Sequence, residues 1–121
     1  DATLADHVEA ARQAASEHGM TVDHVQSNHE GEMVDAIQAA RGRYVAILIN
    51  PGAFTHYAWA IHDALASFAG PILEVHLSNP AAREPWRHTS VVAPVAAGSI
   101  AGFGGDGYRM AVEAIARLLD L

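Results

Sequence analysis

The stretch Tyr44-Val45-Ala46-Ile47-Leu48-Ile49-Asn50-Pro51-Gly52 decides the fold class. Its first six residues are uncharged and largely apolar at both odd and even positions, which suits a strand covered on both faces rather than one half in water. Asn-Pro-Gly then ends the run as a turn. Upstream, Met33, Ile37 and Ala40 lie at helical spacing, and Gly42 follows them. Downstream, Ala58, Ile61, Leu65 and Phe68 make another helical stripe that stops at Gly70. Pro71-Ile72-Leu73-Glu74-Val75-His76-Leu77 reads as a further strand.

The flanks extend the alternation. Leu4, Val8, Ala11 and Ala15 lay one stripe along a helix over residues 2–18 closed by Gly19, and residues 21–27, with β-branched Val22 and Val25, read as a short strand. Residues 89–95 form a β-rich stretch, and a final helix carries Val112, Ile115 and Leu119 after the glycines at 102, 104, 105 and 107. Strands separated by helices imply right-handed crossovers and a mainly parallel sheet with helices on both faces, a three-layer doubly wound α/β arrangement. The 121 residues are expected to form a single domain. A chain of this class should open with a strand, yet this one opens with a helix, so the first strand is expected upstream of Asp1.

Composition narrows the function classes. A net charge of −7 with histidines neutral provides no electrostatic footprint for nucleic acid or an anionic membrane. No apolar run approaches the roughly 20 residues of a spanning helix. The absence of cysteine removes disulfides and thiolate metal sites, and no HExxH motif occurs, so neither metal nor cofactor is expected. With no signal-peptide pattern at Asp1-Ala2-Thr3, the expected location is cytoplasmic.

Ligands of parallel sheets bind beyond the carboxyl ends of strands, and there the chain is rich in chemistry-bearing residues. The three ends read Ser27-Asn28-His29-Glu30, Asn50-Pro51-Gly52 with His56 beyond, and His76-Leu77-Ser78-Asn79. Glu74, His76 and Ser78 share one strand face by their two-residue spacing. Two readings stand: Glu74 is satisfied by a nearby Arg or backbone group and His76 merely caps the strand end, or both belong to a ligand cleft where the strand ends converge. Asn50 is either a turn former or a ligand group, and Thr55 is expected to cap the following helix. Arg83 and Arg87, after an Asn79-Pro80 helix start, are either a solvated basic face or a pair that binds a carboxylate or hydroxyl-rich substrate. Gly102-x-Gly104-Gly105-x-Gly107 lacks the following strand that a dinucleotide site requires.

Taken together, four blocks resemble the type II dehydroquinases: Gln26-Ser27-Asn28-His29-Glu30-Gly31; Ile49-Asn50-Pro51-Gly52-Ala53-Phe54-Thr55-His56; Glu74-Val75-His76-Leu77-Ser78-Asn79 with Arg83 and Arg87-His88; and Gly102-x-Gly104-x-x-Gly107-Tyr108. They keep the family's order over nearly the whole chain. The resemblance implies a flavodoxin-like fold and dehydration of 3-dehydroquinate to 3-dehydroshikimate through an enolate, without metal or Schiff base. It further implies a homo-oligomer, a dodecamer built as a tetramer of trimers. By the same carry-over His76 is the general acid, and Asn50 with the Gly52 region holds the water that stabilises the enolate. His56, Ser78, Leu77 through its amide, and Arg87 bind substrate, Glu74 supports His76, and Asp63 reaches a neighbouring subunit's site. The family's proton-abstracting Tyr and its partner Arg lie on a lid after the first strand, a region that would precede Asp1, and Tyr44, Tyr57 and Tyr108 fall outside that motif. Pro85 and Ala58 stand where more polar family residues are expected. Competing classes are a non-catalytic flavodoxin-like ligand-binding or receiver module and a flavin-binding electron carrier.

Overall fold

In the computed structural model, which describes residues 2–121, the described residues form three strands and four α-helices. The helices are α1 (Leu4–Ser16), α2 (Glu30–Ala40), α3 (Trp59–Ala66) and α4 (Asp106–Leu118), and the strands β1 (Ile47–Ile49), β2 (Ile72–His76) and β3 (Gly98–Ala101). The sheet order is β1-β2-β3, all parallel, with Ile49 opposite Glu74 and Glu74 opposite Ser99.

Helix α1 begins and ends for local reasons. Thr3 and Asp6 form a reciprocal capping box at the start of α1, the Asp6 amide donating to Thr3 Oγ1 at 3.2 Å and the Thr3 amide to Asp6 Oδ2 at 2.9 Å. Those bonds hold the Asp6 carboxyl below its usual pKa. Gly19 turns the chain out of α1 with φ 74°, a left-handed conformation that suits glycine. Gly70 answers a different constraint, because a Cβ there would strike the carbonyl oxygen of Val45.

Strand alternation sorts the core into two faces. Ile49 and Ile72 point to α2 and α3, where they pack with Ile37, Ile61, Leu65 and the loop residue Val92. Leu73 and Val75 point the other way, to Ala111 and Ile115 of α4, and α1 joins that side through Ala11, Ala14 and Ala15 against Val112. Helices on both faces of the sheet make three layers, as the apolar run at 44–49 predicts.

Two expected strands are corrected. Residues 21–27 pair with no strand among the described residues: Val22 packs beside Leu48, Val25 is exposed, and Asp23 is held by the Tyr44 hydroxyl. A strand exists only where its backbone groups meet a ladder, and β-branching alone does not supply one. The stretch 89–95 is irregular and ends in a 3-10 turn, Ala93–Val95. Its donors are committed elsewhere: the Val91 amide to the Thr55 carbonyl at 2.6 Å, and the Val92 and Ala93 amides to Ser90 Oγ at 3.1 and 2.9 Å. The third strand is instead Gly98–Ala101, whose small residues make no apolar run. The other two strands fall inside their expected spans, and the expected helix after Asn79 is split into two 3-10 turns, Pro80–Ala82 and Pro85–His88.

Leu65 is fully buried between α3 and the sheet. Leu65→Ala is expected to lower the unfolding free energy by about 2–5 kcal/mol in urea denaturation, whereas a loss below about 1 kcal/mol would contradict the packing described.

Candidate active site

Glu74 lies in the middle of an otherwise apolar strand and is only 2% exposed. A charge so placed is costly unless its oxygens are bonded, and three chain segments converge to do so. The 3-10 turn Gly52–His56, entered through the Asn50-Pro51 bend, carries Thr55 inward until it is 1% exposed and its hydroxyl meets Glu74 Oε2. Ser90 arrives on the arm between β2 and β3 and donates to Glu74 Oε1 at 2.9 Å. The third partner is His76, two residues along the same strand face, with Nε2 2.6 Å from Oε2.

Burial pushes the Glu74 pKa up, but the bonds from His76, Thr55 and Ser90 outweigh it and hold the group below its ordinary value. The carboxylate is therefore the resting form. A carboxylate only accepts, so His76 Nε2 bears the hydrogen and Nδ1 is the nitrogen free for proton transfer. The imidazole is mostly covered, 12% exposed, and is fixed in orientation by its anionic partner.

This pair opens on a cleft of about 200 Å³ lined by Thr55, His56, Glu74, His76, Arg87 and Ser90, among others. His56 is held by its Nδ1, 2.6 Å from the Thr89 carbonyl, with its ring edge-on to Trp86. Arg87 lies 4.0 Å over the Trp86 ring and bonds Glu84 through Nε at 2.6 Å, which draws the Glu84 carboxyl below its usual range. Two imidazoles, His56 and His88, one imidazole–carboxylate pair and one guanidinium thus surround a small hollow. A second histidine–tryptophan contact, His62 with Trp59, lies on α3 outside it. A larger hollow of about 410 Å³ between the starts of α1 and α4 contains none of the expected site residues.

The expected site residues divide accordingly. His56, Glu74, His76 and Arg87 meet at one cleft. Asn50 continues the alternation of β1 on the α4 side: its Nδ2 donates to the Tyr108 hydroxyl at 2.8 Å and its Oδ1 accepts from the Gly52 amide at 3.1 Å, closing the turn. Asp63 is exposed on α3, and Leu77 and Ser78 are exposed beyond β2. The tip of residues 27–30 does not line the cleft; Ser27 instead accepts from the His29 amide at 3.0 Å and donates to Glu32 beside the start of α2. Thr55 supports the carboxylate rather than capping α3. Ser90 was not singled out by sequence, because no spacing rule links positions 55, 74 and 90.

A three-stranded parallel sheet that sets a carboxylate-anchored imidazole over its strand ends defines an α/β protein with a candidate acid–base site. The model of the class II dehydroquinase family matches residues 1–116, and the chain belongs to that family. It is 51% identical over 118 residues to the 3-dehydroquinate dehydratase 2 of Pseudomonas putida, covering 98% of this chain and 79% of that relative. Its identity to the catabolic 3-dehydroquinase 1 of Aspergillus terreus is 57% over 115 residues, 94% of this chain and 75% of the relative. Among solved structures it is similar to the type II dehydroquinase from Propionibacterium acnes, with a TM-score of 0.89 at 39% identity, covering 95% of this chain and 85% of that one.

Because folding lowers the Glu74 pKa, its contribution to stability is present above the ordinary value of 4.5 and is lost as pH falls through the lower, folded value. The stability gap between the parent and Glu74→Gln, measured by urea denaturation, is expected to be large at neutral pH and to shrink below pH 4.5. A gap that widens on acidification would contradict the assignment.

Proposed function

We propose that this chain dehydrates 3-dehydroquinate to 3-dehydroshikimate with His76 as the general acid. The observation that carries the reading is the His76–Glu74 pair, 2.6 Å apart, opening on the same cleft as His56 and Arg87. Removing a proton beside the substrate ketone creates an enolate, which then expels the hydroxyl β to the carbonyl. That hydroxyl departs as water once it takes a proton, and His76 Nδ1 is the donor. Its partner Glu74 stabilises the imidazolium before transfer. Arg87 keeps terminal guanidinium donors beyond its Nε bond to Glu84 and binds the substrate carboxylate.

His56, Ser78 and the Leu77 amide complete substrate binding in this reading, and Asn50 with the Gly52 amide region, across the strand ends from His76 on the α4 side, holds the water that faces the enolate oxygen. No base is assigned among residues 1–121. The three strands are read as neighbours in a flavodoxin-like doubly wound sheet forming one catalytic domain, supported by the fold similarity to type II dehydroquinases. Asp63, exposed on α3, is free to reach a neighbouring subunit, consistent with a cytoplasmic dodecamer arranged as a tetramer of trimers. Among the described residues no helix is long and apolar enough to cross a membrane. Relatives carry both general and catabolic dehydroquinase names, so the reaction serves either the shikimate or the quinate route. A non-catalytic module would have no use for an imidazole held this way.

Enone formation from 3-dehydroquinate, followed by ultraviolet absorbance, tests the acid role. His76→Gln is expected to lower kcat by roughly 10²–10⁴, and Arg87→Ala to act mainly through a raised KM. An undiminished kcat in His76→Gln would remove His76 from the mechanism.

A further inference from the structure

We propose that Thr55 and Ser90 are positioning residues for the elimination: their hydroxyls orient the Glu74 carboxylate behind His76, and Ser90 ties that carboxylate to the arm bearing Arg87. The inference rests on the acid role given to His76 above. It follows from counting protons and lone pairs. Ser90 Oγ accepts from the Val92 and Ala93 amides at 3.1 and 2.9 Å, which uses both its lone pairs. Its single proton is left for the Glu74 oxygens at 2.9 and 3.1 Å or the Thr55 hydroxyl at 2.7 Å. Thr55, with one proton of its own, donates to Oε2, the oxygen that His76 also bonds.

With the Thr55 proton on Oε2 and the Ser90 proton directed to Oε1, both carboxylate oxygens are held, Oε1 by Ser90 and Oε2 by Thr55 and His76. Rotation of the carboxylate would break a bond at each end, so the imidazole it anchors keeps one orientation. The arm is fastened at the same point, because the Val91 amide donates to the Thr55 carbonyl at 2.6 Å. Arg87 lies three residues before Ser90 on that arm. One joint therefore sets both the acid and the carboxylate-binding guanidinium, and its two hydroxyls divide the work. The Thr55 hydroxyl meets the arm only at Ser90 Oγ, 2.7 Å away, whereas Ser90 also holds the arm's Val92 and Ala93 amides.

Steady-state kinetics of the full chain separate these roles. Thr55→Val keeps the side-chain shape and the backbone bond to Val91, and is expected to lower kcat roughly ten- to a hundred-fold with KM little changed. Ser90→Ala is expected to lower kcat similarly and also to raise KM. Each variant removes a donor that holds the Glu74 pKa down, so the acid-side fall of kcat should begin at a higher pH than in the parent. The other ionisable groups lining the cleft, His56, His76, Arg87 and His88, are the same in both variants, which assigns the shift to the carboxylate. Thr55→Ser, which restores the hydroxyl, should recover rate and pH profile. A parent-like kcat and acid limb in Thr55→Val would overturn the proposal, as would a lowered kcat that Thr55→Ser shares in full. If Thr55→Val does not fold, Ser90→Ala reads the same kcat and acid limb, and parent-like values there overturn it equally. His76→Gln distinguishes the levels: if it abolishes turnover while both hydroxyl variants match the parent, only the positioning roles fall; if it too is fully active, the acid assignment falls with them.

Discussion

One ionised carboxylate in the interior of β2 is the constraint around which the rest is arranged. Glu74 occupies a position whose neighbours along the strand, Leu73 and Val75, belong to the apolar core. An unpaired charge there would be disfavoured by several kcal/mol. The chain avoids this by routing two otherwise unrelated segments over the carboxyl end of the sheet, one delivering Thr55 and one delivering Ser90. Both segments then form walls of the cleft. The requirement to satisfy a buried anion and the fixing of the His76 imidazole are met by the same set of contacts.

The parts legible in the sequence are those with a period or a punctuation mark. The apolar runs around Ile47–Ile49 and Ile72–His76, the helical stripes and the capping glycines are local patterns, and each corresponds to an observed element. What misled was composition without partners. Val22 and Val25 have strand chemistry but no ladder, while Gly98–Ala101 has a ladder on β2 and little strand chemistry. Pairing is a property of two segments, and one segment's residues carry only half of it.

The site shows the same division. The grouping of Glu74 with His76 is readable because a strand's period is two, and Arg87 is readable as a cation following a strand end. Strand parity also separates Asn50 from His76: Asn50 follows Leu48 to the side of α4 and Tyr108, whereas His76 follows Glu74 to the side of the arm. The contribution of Thr55 and Ser90 is readable from no local rule, since it depends on how two loops of different length fold over the strand end. Each of those hydroxyls is an ordinary residue until the coordinates place it against a carboxylate.

Both tryptophans of the chain stand edge-on to a histidine, Trp86 to His56 at the cleft and Trp59 to His62 on α3. Each indole's emission reports on the side chains packed against it, Trp86 on His56 and Arg87 and Trp59 on His62. Intrinsic fluorescence of this molecule is accordingly a composite of two signals, and only that of Trp86 comes from beside side chains, His56 and Arg87, that line the cleft. Light from Trp86 becomes a clean optical witness of ligand arrival once the other indole has been replaced by a silent ring.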